Sequence, residues 1–142
     1  MSSSYISPVT RQLVAERAKR RCEYCQTQEL MLGMPLEIEH IDPEVAGGSS
    51  DEFNLCLACP SCNRYKGIRT NGVDEETDDT ASLFHPRQQE WQAHFSWRQN
   101  GLYLVGLTPS GRATIVTLQM NNSFVVRSRR AWAAAGWHPP QD

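Results

Sequence analysis

No stretch of this sequence is apolar for long enough to cross a bilayer. The opening residues, MSSSYISP, lack the basic-then-apolar pattern of a secretion signal. Both absences lead to the expectation of a cytoplasmic protein with no membrane partner. Internal repeats are absent, which excludes a repeat array, and the only biased tract is a short acidic one. Net charge is also small, −2 at neutral pH, and taken alone argues against a nucleic-acid partner. The five cysteines are an odd number, so they do not pair off into a disulfide framework. In a compartment that keeps thiols reduced, cysteines read better as metal ligands.

The charge that is present is unevenly placed. From Arg11 to Arg21 five basic residues stand against one acid. NRYKGIR adds Arg64, Lys66 and Arg69, and RSRR adds Arg127, Arg129 and Arg130, while the acids gather in DEETDD, Asp74 to Asp79. A locally basic surface with an acidic loop elsewhere is compatible with phosphate binding. Solvated helix faces and a mobile loop fit the same charges equally well.

At 142 residues the chain has the length of one domain, or of a compact core with an appended part. Ser7-Pro8 is an N-cap followed by proline at the first helical position, predicting a helix from about Pro8 to Arg20 with an apolar stripe of Val9, Leu13, Val14 and Ala18. CEYC reads as a tight turn, LEIEHI as a strand, DPEVAGGSSDE as a loop, NLCLA as a second strand, and CPSCNRYKG as a knuckle running into a helix. Residues 71–82, poor in large apolar side chains, read as an irregular acidic linker. Beyond it, residues 83–142 read as an accessory segment packed on the core, with Phe84, Trp91, Phe95 and Trp97 as core side chains. Asn100-Gly101 signals a hairpin turn, Thr108-Pro109 opens a helix to about Leu118, and a last helix from about Ser123 stops at Gly136.

Cys22-x-x-Cys25 and Cys59-x-x-Cys62 each offer two thiolates to one ion, and four such ligands complete the tetrahedron of structural zinc. Cys56 also lies three residues before Cys59, but its setting in the apolar run NLCLA suits a small core residue. Metal binding would clip the N-terminal helix to the two strands and add its free energy to folding.

Read as a unit, EIEHIDP…GG…NLCLACPSCNRYKG resembles the HNH endonucleases, the ββα-metal nucleases, and within them the small bacterial branch that carries four zinc-binding cysteines. The resemblance is close over about residues 21 to 69 and extends loosely into the C-terminal segment. It implies an α+β fold: a ββα-metal, treble-clef-like core with an N-terminal helix over residues 1–70, followed by a hairpin-plus-helices extension. It implies DNA as substrate, structural Zn2+ on the four cysteines, and a catalytic Mg2+ or Mn2+.

By that resemblance Glu39 and the amide oxygen of Asn63 hold the catalytic ion, one from the strand end and one from the helix. His40, next along the strand, points the other way and is placed to activate water. Asn54 holds the loop and with it the orientation of His40, and Arg64 and Lys66 are phosphate contacts. Two features depart from the commonest pattern: Glu39 replaces an aspartate, and Asn63 replaces a histidine. His85, His94, His138, Trp132 and Trp137 read as structural. A non-catalytic zinc-stapled module, binding nucleic acid or protein, is the alternative reading. Oligomeric state, monomer or dimer, stays open.

Overall fold

The computed structural model describes residues 5–141. The chain divides into two compact units, residues 1–70 with 85–88, and residues 71–84 with 89–142.

In the first unit, Ser7 caps helix α1, Pro8–Arg17, its hydroxyl accepting from the Thr10 N–H at 3.2 Å. Lys19 and Arg20 then take positive φ, so the helix stops one turn short of the expected end. Its packing face is Val14 and Ala15, whereas Val9 and Leu13 face solvent. A 3.6-residue stripe shows only that a helix has a preferred face; the partner element decides which one is buried.

After the Cys22–Cys25 turn come two antiparallel strands, β1 (Glu37–His40) and β2 (Leu55–Ala58), with Glu39 opposite Cys56 and His40 opposite Leu55. All four residues of β2 are buried. Helix α2, Pro60–Lys66, follows with proline in its first turn and Cys59 as N-cap, and packs on β1. This is the expected ββα core. The loop joining the strands doubles back tightly: a Cβ on Gly48 would overlap the Asp42 carbonyl and crowd the Asn54 amide, so only glycine fits there.

The second unit begins with a correction. Residues 71–82 form a hairpin, β3 (Asn71–Asp74) and β4 (Asp79–Ser82), where composition suggested an irregular linker. What the hairpin lacks in apolar side chains is offset at Asp74, which is fully buried. Its carboxylate accepts from the Glu76 N–H and the Thr77 hydroxyl, and takes a two-pronged bond from Arg112 at 2.9 Å on each arm.

A short helix α3 (Trp91–His94) leads into hairpin β5–β6 (Phe95–Arg98, Tyr103–Gly106), turned at Asn100-Gly101 in positive φ as the dipeptide predicts. Helix α4 (Pro109–Thr117) packs on β3 and β6, and helix α5 (Ser123–Ala134) is capped by Asn122. The core here is Phe84, Phe95, Leu104, Ala113, Leu118, Met120 and Val126, with Trp91 and Trp97 half-buried at its margin.

Arg112 holds the Asp74 carboxyl down to about 2. A depressed carboxyl adds stability that is complete above its unfolded value near 4 and drains away as pH falls through the folded one. The second unit should therefore lose stability between about pH 4 and pH 2. Asp74→Asn should melt lower at neutral pH and show a flatter dependence in that window, checked by thermal melts from acid to neutral pH.

Candidate metal centre and active site

The first centre is built at the two knuckles. Cys22 and Cys25 bracket the turn after α1, and Cys59 and Cys62 bracket the first turn of α2. All four are buried, none is in a disulfide, and their sulfurs lie within 4.8 Å of one another. Cys25 Sγ and Cys59 Sγ are 3.7 Å apart. Four sulfurs at about 2.3 Å from a tetrahedral ion would be roughly 3.8 Å apart, so the cage has the right size. The N–H groups of Cys25 and Cys62 point at the sulfurs of Cys22 and Cys59, at 3.5 and 3.3 Å, as suits thiolates. Burial pushes the Cys22 thiol well up, while hydrogen bonds from Cys22, Cys59 and Cys62 pull Cys25 well down. A metal cation resolves that conflict by stabilising every thiolate at once. Cys56 stands apart, facing the buried Tyr24 hydroxyl at 3.8 Å, its thiol pushed up to about 12 by burial.

The second group gathers where β1 meets α2. Strand alternation sets Glu37 and Glu39 on one face of β1, and helix periodicity sets Asn63 and Lys66 one turn apart on α2. The pairs match in order. Asn63 Nδ2 donates to Glu37 Oε1 at 2.6 Å, and Lys66 Nζ lies 3.4 Å from Glu39 Oε2. Lys66 is only 1 % exposed and also donates to the His40 carbonyl at 3.3 Å. It is therefore not the surface phosphate contact that its place after Asn63 suggested: one turn past Asn63 it points into the core, whereas Arg64 is exposed.

Glu39 is also buried, and burial pushes its carboxyl up against the opposing pull of Lys66. Its Oε2 accepts no hydrogen bond among the described residues. Glu37, Glu39 and Asn63 carry the hard oxygen donors that a small divalent ion prefers, with the Lys66 ammonium already beside Glu39 Oε2. Glu37 was missed in the sequence reading, although its two-residue spacing from Glu39 was the available signal.

His40 closes β1 with Nε2 2.9 Å from Ser50 Oγ and 4.0 Å from Glu44 Oε1. Asn54, just before β2, fixes the loop that carries Ser50. Its Oδ1 accepts from the Asp42 N–H at 2.9 Å, and its Nδ2 donates to the carbonyls of Asp42 at 3.0 Å and Ser49 at 2.7 Å. Nothing in Gly-Gly-Ser-Ser distinguishes Ser50 as a ring partner from a loop filler.

The remaining histidines bond within the fold. His85 Nδ1 accepts from the Arg87 N–H, His94 Nδ1 meets the Thr108 hydroxyl, and His138 Nε2 meets the Gly101 carbonyl.

Residues 22–69 match the HNH endonuclease family model. The matched span holds the four cysteines, both strands, the loop between them and α2. No curated protein matches the chain.

Proposed function

With residues 22–69 an HNH endonuclease domain whose four cysteines are placed to bind a metal ion, we propose that the chain hydrolyses DNA phosphodiester bonds, with Zn2+ on the cysteines and Mg2+ or Mn2+ at the β1–α2 junction. The observation that carries this reading is the set of three side-chain hydrogen bonds from Asn54, which fixes the loop whose Ser50 holds His40. A pure binding module has no need of a histidine whose ring and supporting loop are held this closely.

In this mechanism His40 is the general base. A proton on Nε2, donated to Ser50 Oγ, leaves the lone pair on Nδ1 to take a proton from the attacking water. Glu44 lies on the Nε2 side, where it stabilises the imidazolium as the proton arrives. Glu39 and Asn63 hold the divalent ion, and Glu37 orients the Asn63 amide. Bound there, such an ion supplies charge neutralisation at the phosphoryl and leaving oxygens. Arg64, exposed on α2, contacts phosphate and positions the strand. No helix among the described residues is long and apolar enough to cross a membrane. The reading places the protein in the cytoplasm, and one such site cuts one strand at a time.

The Glu39–Lys66 pair favours a second reading, since an ammonium already sits against the expected ligand. On that reading the domain binds nucleic acid and does not cut it. Nicking of a supercoiled plasmid separates the two. We expect cleavage with added Mg2+ or Mn2+, stopped by mild chelation before the thermal transition changes, and restored by the same ions. Binding without nicking, under every divalent ion tried, would establish the second reading.

A further inference from the structure

From Trp91 to Gln141 the chain contains no aspartate and no glutamate, although 16 acids in 142 residues would place several there. The same stretch holds five arginines and no lysine. The fold commits three of the five. Arg112 is bound to Asp74, and the Arg98 guanidinium lies over the Tyr103 ring at 5.8 Å from its centroid. Arg129 is fully buried, donating to the carbonyls of Leu102 and Met120 and to the Asn121 side chain.

The other two, Arg127 and Arg130, stand one turn apart on the solvent side of α5. Neither has a carboxylate partner among the described residues. One turn before Arg127 on the same side, Phe124 is 78 % exposed. The inner side of the helix carries Val126 and Arg129, whose bonds to the β5–β6 turn and the α4–α5 connection hold the outer face in a fixed orientation.

Solvated helix faces ordinarily mix both signs of charge, and a face meant only for solubility gains nothing from excluding every acid. Excluding them makes sense where a polyanion has to approach. Arginine suits that partner better than lysine, because its planar fork meets two phosphate oxygens at once and is more weakly hydrated. We infer that the outer face of α5, through Arg127 and Arg130, is a contact surface for the phosphate backbone of DNA. This deepens the proposed function and rests on DNA being the substrate: the second unit supplies affinity, and the HNH domain supplies the chemistry.

The test measures binding of the full chain to a short labelled duplex, without added divalent ion, over a range of salt. Replacing both residues, Arg127→Ala with Arg130→Ala, should weaken binding about tenfold at low salt and cut the slope of log affinity against log salt by about 1.8, for two lost phosphate contacts. Melting should not change, because both side chains are in solvent. Arg127→Lys with Arg130→Lys should retain the slope. Unchanged affinity and slope in the alanine pair would overturn the inference, as would loss of binding to an acidic protein with DNA binding intact. If the slope falls as expected but no variant or parent nicks DNA, the surface stands and the nuclease reading fails. If the parent binds no DNA at low salt, both fail.

Discussion

His40→Ala should lower DNA cleavage by about 100-fold or more while leaving affinity for DNA nearly unchanged. The substitution removes the group proposed to take the proton from water. It leaves Glu37, Glu39 and Asn63 in place on the opposite face of the strand junction, and it leaves the exposed arginines untouched. The backbone contribution of residue 40 also survives, since Lys66 bonds the carbonyl and not the ring. Salt dependence of binding, set by phosphate contacts, should therefore be that of the parent. Asn54→Ala should cost less activity than His40→Ala, because it loosens the loop behind Ser50 without deleting the imidazole, and it should lower the melting temperature as well. Single-turnover nicking and binding titrations on the same preparations check both. Parent-level nicking by a carefully purified His40→Ala protein would remove the histidine from the mechanism.

Cys59→Ser should lower the metal content of the protein and unfold the first unit, the largest stability change expected of any single substitution here. Structural zinc in small domains contributes apparent binding free energies of about 10–16 kcal/mol, as much as or more than the stability of a typical domain. The choice of serine isolates the cause. Cys59 is also the N-cap of α2, its sulfur accepting from the Cys62 N–H. A serine hydroxyl caps a helix well, so the cap is kept and the thiolate alone is lost. Cys56→Ala is the matched control. That thiol is equally buried but faces Tyr24, so the variant should keep its full metal content and lose only modest stability. Metal analysis and circular dichroism on the pair give the answer. Metal lost from the Cys56 variant and kept in Cys62→Ser would reassign the ligands.

Much of this molecule is determined by sequence over a few residues, and those parts read correctly. Ser7-Pro8 and Thr108-Pro109 start helices because a side-chain oxygen three residues from an unsatisfied N–H is a local matter. Asn100-Gly101 turns a hairpin because its backbone tolerates positive φ. The two Cys-x-x-Cys pairs identified their metal cage because each pair needs only its own turn to converge. The matched pair of knuckles also brought β1, β2 and α2 together as expected.

What only the tertiary structure decided depends on contacts distant in the chain. Residues 71–82 are a hairpin because Arg112, in the first turn of α4 and 38 residues further along the chain, satisfies Asp74, and no property of DEETDD announces that partner. Val9 and Leu13 face water because β2 takes the Val14 side of α1. Asn63 bonds Glu37 while Glu39 pairs with Lys66, since the angle at which α2 crosses β1 sets which side chains meet. The packing of α2 on β1 is a tertiary matter, and a motif carries residue types and spacings but no crossing angle. The same limit applies to Lys66 and Arg64: two residues apart on a helix, they point to different sides, and burial alone separates a core ammonium from a surface guanidinium.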